Sequence, residues 1–127
     1  MKMNNIFIFL GILFGMSLVG CYKDINPPGS DPDGPAQSVS FKQDLAPLVR
    51  TKCGSVDGCH VPGAHKPYMN DDTKSFINIV SGGFVNTLIP KESIIYKQIN
   101  GPMIEYIPSQ KDRQKIYDWI RNGAPNN

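Results

Sequence analysis

Apolar positions in residues 39–127 recur at helical rather than alternating spacing. Phe41, Leu45, Leu48 and Val49 fall on one face. Pro47 restricts that helix to a start near Asp44, because proline has no N–H to offer an interior position. Asp71 and Asp72 offer an N-cap to a helix over 73–81, with Phe76, Ile79 and Val80 on its inner stripe and Gly82-Gly83 as its stop. Pro90 suits the first turn of a short helix over 91–99 that ends at Gly101. Ser109 to Asp112 has the form of a capping box in its acidic variant. It opens a last helix whose Ile116, Trp119 and Ile120 face inward and which Gly123 closes. No strand-type alternation stands out, so the pattern predicts an all-α domain of four helices. The loops over 60–70 and 100–108 are longer than a small bundle needs for its turns, and long irregular loops usually hold something.

Upstream of residue 39 the pattern changes twice. Lys2 precedes an apolar run from Ile6 to Val19, a positive segment followed by a hydrophobic one of signal-peptide length and too short to span a bilayer comfortably. The run ends in Leu18-Val19-Gly20-Cys21, which resembles the lipobox of bacterial lipoproteins. That resemblance implies cleavage before Cys21 and acylation of its sulfur and amine, and several acyl chains make attachment stable where one gives only reversible binding. Residues 22–37 are rich in proline and glycine without apolar periodicity and read as a tether. The expected organisation is a signal peptide over 1–20, a flexible linker over 21–38 and a folded domain over 39–127.

Composition narrows the function. A net charge of +2 over 127 residues argues against nucleic acid as a partner, since phosphate recognition needs a clustered basic face. Eleven prolines and twelve glycines fit a loop-rich fold. A chain this short buries a modest core and often depends on a staple or a cofactor.

With Cys21 assigned to lipid, Cys53 and Cys59 remain, in the run Cys53-Gly54-Ser55-Val56-Asp57-Gly58-Cys59-His60. Three chemistries compete for them. In covalent haem attachment two thiols form thioethers with the macrocycle, and the histidine directly after the second cysteine is held beneath the iron; the usual spacing is CxxCH. Here five residues separate the cysteines, so the extra three must loop outward, which Gly54 and Gly58 make sterically cheap. The second chemistry is a disulfide between Cys53 and Cys59, which would leave His60 and His65 as ordinary loop residues. The third is zinc on Cys53, Cys59, His60 and His65, for which the adjacent pair Cys59-His60 is an awkward spacing.

The run from Phe41 to Val49, the Cys53–His60 segment, Val85-Asn86-Thr87, Ser93 to Tyr96, Met103 and the stretch from Ile116 to Ala124 together resemble the small c-type cytochrome domains. More narrowly they are similar to the Planctomycete-type cytochrome c domains, which also occur in lipoproteins of Bacteroidota. The resemblance covers nearly all of residues 39–127. It implies haem c bound through Cys53 and Cys59, His60 as the proximal iron ligand and a methionine before the last helix as the distal one. Met103 matches that position, although Pro102 precedes it where the family usually has proline following. His65 and Met69 are the alternative distal ligands. The resemblance also implies that Trp119 packs near the haem edge; a core tryptophan would be buried in the same way. Tyr96, Tyr106 and Tyr117 do not discriminate.

The expected function is therefore a membrane-anchored electron carrier of the cell envelope, favouring the outer membrane. Its partners would be redox proteins and, through Cys21, the bilayer. No carboxylate pair, nucleophile–base set or phosphate loop marks an enzyme. The reading from another class is a haem-free, disulfide-stapled lipoprotein module that binds a partner.

Overall fold

The computed structural model describes residues 31–55 and 58–127. The expected signal peptide, Cys21 and the first part of the expected tether lie outside the described residues. Within them the protein is all-α, with four helices and no strand.

Helix α1 is continuous but changes hydrogen-bond pitch along its length, from a π-type stretch at Phe41–Leu45 through α-helix at Ala46–Val49 to a second π-type stretch at Arg50–Gly54. It begins at Phe41, not near Asp44 as Pro47 suggested. Ser40 is the N-cap and accepts from the Gln43 N–H, and the Asn127 side chain accepts from the Phe41 N–H at 2.8 Å. In the first stretch the Ala46 N–H reaches back to the Phe41 carbonyl. This wider turn ahead of Pro47 accommodates the missing donor that an α-helical ladder would have exposed.

Helix α2 spans Asp72–Val80. Asp71 is its cap, accepting from the backbone of Thr73 and Lys74 at 2.8 and 3.1 Å. Bonds from the Thr73 side chain and from both backbone donors hold the Asp71 carboxyl below its ordinary value. A lowered folded-state pKa stabilises above the unfolded value and is lost as pH falls through the folded one. Asp71→Ala should therefore lower Tm at neutral pH, with the gap to wild type closing as pH drops below about 4. Thermal melts at pH 7 and pH 2.5 check this, and a gap that stays constant would exclude the carboxylate as its cause.

The helix expected over 91–99 divides. A 3-10 turn covers Pro90–Glu92, and α3 begins only at Ile94, running to Ile99. Ser93 sits between them in an extended conformation, its hydroxyl accepting from the Asn86 N–H at 2.8 Å. Serine here serves a neighbouring loop rather than the helical ladder. Helix α4 spans Gln110–Arg121; Ser109 accepts from the Asp112 N–H at its start, and Gly123 ends it at φ +89°.

The core is built where α1, α2 and α4 meet. Phe41 packs against Phe76 and Trp119 at ring-centroid distances of 5.2 Å each, with Leu45, Ile79, Ile116 and Ile120 also buried. Trp119 donates through Nε1 to the Pro125 carbonyl at 2.9 Å. The last residues return to the start of α1, where the Asn127 carbonyl accepts from the Lys42 N–H.

The tether expected over 21–38 is tied to the domain at its C-terminal end. Asp118, buried at 1% exposure, accepts from the Gln37 backbone and side chain at 3.2 and 3.1 Å. Arg121 donates to the Gly34 carbonyl, and Lys91 pairs with Asp33 at 2.7 Å. A buried carboxylate needs such donors, so this stretch is held although its composition alone gives no reason for order.

Candidate functional site

A single cavity of about 410 Å³ collects the chemistry-bearing side chains. The end of α1 and the loop after it supply Val49, Lys52, Cys53, Cys59, His60 and Met69. Helix α3 and the 100–108 loop supply Ile94, Ile95, Gln98, Ile99, Met103 and Tyr106, while Ile116 of α4 closes the floor. The volume lies within the ~300–1,000 Å³ typical of ligand and cofactor sites. The lining is largely apolar, with the cysteine thiols, His60, His65, Lys52, Lys66, Gln98 and Tyr106 as its polar exceptions.

The His60 N–H donates to the Cys53 carbonyl at 3.2 Å, so the end of α1 lies beside the start of the next loop. Gly58 has φ +80°, and a side chain there would meet open space. Gly54 does something different from the looping role expected of it. It is the last residue of α1, and the backbone of Met69 and Asn70 occupies the place a β-carbon would take.

His60 is buried at 9% exposure, and its Nδ1 lies 3.0 Å from the Pro67 carbonyl. A carbonyl only accepts, so Nδ1 carries a proton, and in the neutral imidazole Nε2 is the nitrogen with the lone pair. The ring is thereby oriented and its tautomer fixed, the arrangement that usually accompanies a metal-ligating histidine. The Met69 N–H donates to the His60 carbonyl at 2.8 Å, and the His65 N–H to the Cys59 carbonyl at 3.0 Å.

Cys53 and Cys59 are unbridged thiols, both partly exposed at the cavity. Burial pushes the Cys53 thiol up to about 11, and the neighbouring Cys59 adds to the rise. In haem-free protein at pH 8, Cys53 should alkylate ~10²-fold more slowly than in the urea-unfolded chain, because only thiolate reacts. Peptide mapping after iodoacetamide pulses reads this, and equal rates in both states would remove desolvation as a feature of the site.

Among the described residues no three His, Cys, Asp or Glu side chains converge as a metal-binding group. The Cys2His2 set weighed for zinc is thus not assembled. Met103, Met69 and His65 all line the cavity, with Met69 buried and His65 exposed at its edge. Met69 and His65 belong to the same loop as His60, whereas Met103 comes from a different part of the chain. Trp119 does not line the cavity; it is held in the Phe41–Phe76 cluster instead. Tyr96 and Tyr117 also lie outside the lining, stacked at 4.7 Å with Arg121 over the Tyr117 ring.

Sequence reasoning missed two supports of the site. The Pro67 carbonyl orients His60, and a backbone acceptor leaves no signature in residue types. Arg113 clamps the methionine loop to α4, donating to the carbonyls of Ile107 and Pro108 at 2.6 and 2.8 Å and to the Asn100 side chain at 3.3 Å. In the sequence Arg113 looks like any other charge on a solvated helix face. The Met103 N–H donates to the Gln98 carbonyl at 2.8 Å, fixing the loop's other end to α3.

No family model, curated protein or solved structure matches the chain.

Proposed function

We propose that the domain is a membrane-anchored c-type cytochrome that holds haem c and carries electrons. Its carrying observation is the convergence of Cys53, Cys59, His60 and Met103 on one largely apolar cavity, with His60 already committed through Nδ1. Cys53 and Cys59 are the attachment thiols, His60 offers Nε2 as the proximal ligand, and Met103 offers its thioether as the distal one. Met103 is preferred over Met69 and His65 because a ligand to the far side of an iron must come from outside the loop that supplies the near one. When bound, the haem supplies a one-electron couple, whose potential a methionine ligand raises relative to a second histidine.

The chain's own residues have defined tasks in this reading. Pro67 holds the imidazole's orientation, Arg113 and Gln98 hold the methionine loop, and the aliphatic lining from Val49, Ile95, Ile99 and Ile116 keeps water from the couple. Cys21, outside the described residues, is proposed as the lipid anchor to the cell envelope, at the outer membrane. Its partners are redox proteins. No helix among the described residues is long and apolar enough to cross a bilayer.

A pyridine haemochrome spectrum of the purified mature protein, made with a competent haem-attachment system, tests the proposal, because it reports haem and its mode of attachment together. A spectrum without haem, together with a thiol count showing Cys53 bridged to Cys59, would favour the disulfide-stapled binding module instead. In the haem protein, Met103→Ala should abolish the near-infrared sulfur-to-iron band of the oxidised form. Persistence of that band would transfer the distal role to Met69.

A further inference from the structure

Two exposed aliphatic side chains, one of them the most exposed of the domain, stand next to the place where the tether arrives. Leu88 is 92% exposed and Ile89 57%. They are not on a loose loop. The Asn86 side chain accepts from the N–H groups of both, at 3.0 and 2.9 Å, and the Ile89 carbonyl accepts from the Glu92 N–H at 2.8 Å. Asn86 is itself held by the Ser93 hydroxyl. The turn therefore presents two aliphatic side chains in a fixed conformation, which lowers the ordering cost of any contact they make.

Lys91, on the same turn, pairs with Asp33 at 2.7 Å, and Arg121 holds the adjoining Gly34. The chain from the N-terminal side thus reaches the domain within one turn of Ile89. The twelve residue steps from Cys21 to Asp33 span at most about 40 Å when fully extended. A chain anchored at Cys21 therefore joins the domain beside this turn and holds it within that distance of the bilayer.

We infer that the turn carrying Leu88 and Ile89 is a lipid-contact site, inserting its two aliphatic side chains into the membrane that holds the anchor and so setting the domain's orientation. This rests on the reading of Cys21 as acylated. Two side chains are too small a surface for a stable protein interface, which buries ~1,200–2,000 Å². A bilayer needs no complementary pocket, and tethering supplies the high local concentration that a small apolar contact requires.

The experiment uses full-length acylated protein in phosphatidylethanolamine–phosphatidylglycerol vesicles, some carrying a phospholipid with a photoactivatable diazirine on its acyl chain, and locates the crosslinked residues by tandem mass spectrometry, a readout that a bound haem does not disturb. Positions 88 and 89 are compared with Ile77, 59% exposed on α2. The expected result is crosslinking at 88 and 89, abolished in Leu88→Asn with Ile89→Asn, and none at 77. Protein that floats with the vesicles but shows no crosslinking at 88 and 89, or equal crosslinking at 77, overturns the contact while leaving the anchor intact; a protein partner would then be the occupant to seek. Protein that does not float overturns the anchor, and the lipid contact with it.

Discussion

Gly54→Ala should lower Tm by about 15 °C or more, a cost of at least ~3 kcal/mol for a domain of this size. Gly54 ends α1 with ordinary helical geometry, so backbone strain is not the reason. A methyl group there would stand 2.5 Å from the Asn70 nitrogen and closer still to the Met69 carbonyl. Both neighbours are backbone atoms, which cannot rotate away as a side-chain tip does. The peptide group that leads into Met69 is also held on both sides: its N–H is bonded to the His60 carbonyl, and its carbonyl, that of Tyr68, accepts from the Asn78 side chain on α2. Relief therefore requires moving the end of α1 away from the loop that carries His60 and Met69. The comparison is Gly58→Ala. Gly58 has φ +80° but nothing within contact range, so that substitution carries only the left-handed penalty of ~1–2 kcal/mol. Thermal melts of the two variants at equal haem content decide between the effects. If Gly58→Ala is the more damaging, close packing beneath Gly54 is not what the residue provides.

Gly54 also marks the boundary of what the chain discloses by itself. The helices were legible because their signals are local: the stripe of Phe41, Leu45 and Val49, the caps at Asp71 and Ser109, the stop at Gly123. The same local logic misplaced the start of α1, because Pro47 forbids an α-helical ladder but not the wider turn that Phe41–Leu45 adopts with help from Asn127. It ran the third helix through Ser93, whose hydroxyl is engaged seven residues upstream at Asn86. At the cavity, Cys53, Cys59 and His60 could be named from residue type and spacing, and Met103 through the family resemblance. What holds them could not. The Pro67 carbonyl, the Arg113 clamp and the approach of Met69 to Gly54 are contacts across the fold between groups that carry no distinctive sequence pattern. Trp119, which the sequence left open between the cofactor edge and the core, packs with Phe41 and Phe76 and does not line the cavity.

Replacing both thiols, Cys53→Ser with Cys59→Ser, should remove all haem that survives denaturing electrophoresis, the largest functional effect expected of any substitution here. The argument begins with the backbone. The bond from the His60 N–H to the Cys53 carbonyl brings the two ends of the segment together, and both thiols border the cavity beside His60. In the proposed attachment each thiol is an independent point of linkage. Either single variant should retain a stain through the remaining thioether, and only the double variant should lose it. Folding is a separable matter. Both cysteines are partly exposed and serine is close in shape, so far-ultraviolet circular dichroism should keep the helical signal. His60 is untouched in the double variant, its Nδ1 still bonded to Pro67, so haem added to the purified protein should still give a histidine-ligated spectrum that denaturant abolishes. That combination, haem bound but no longer covalent, separates loss of attachment from loss of the site. A stain that persists in the double variant would show that the thiols are not the attachment points. A double variant that cannot take up added haem while remaining helical would show that Cys53 and Cys59 shape the cavity itself, and the attachment role assigned to them would have to be withdrawn.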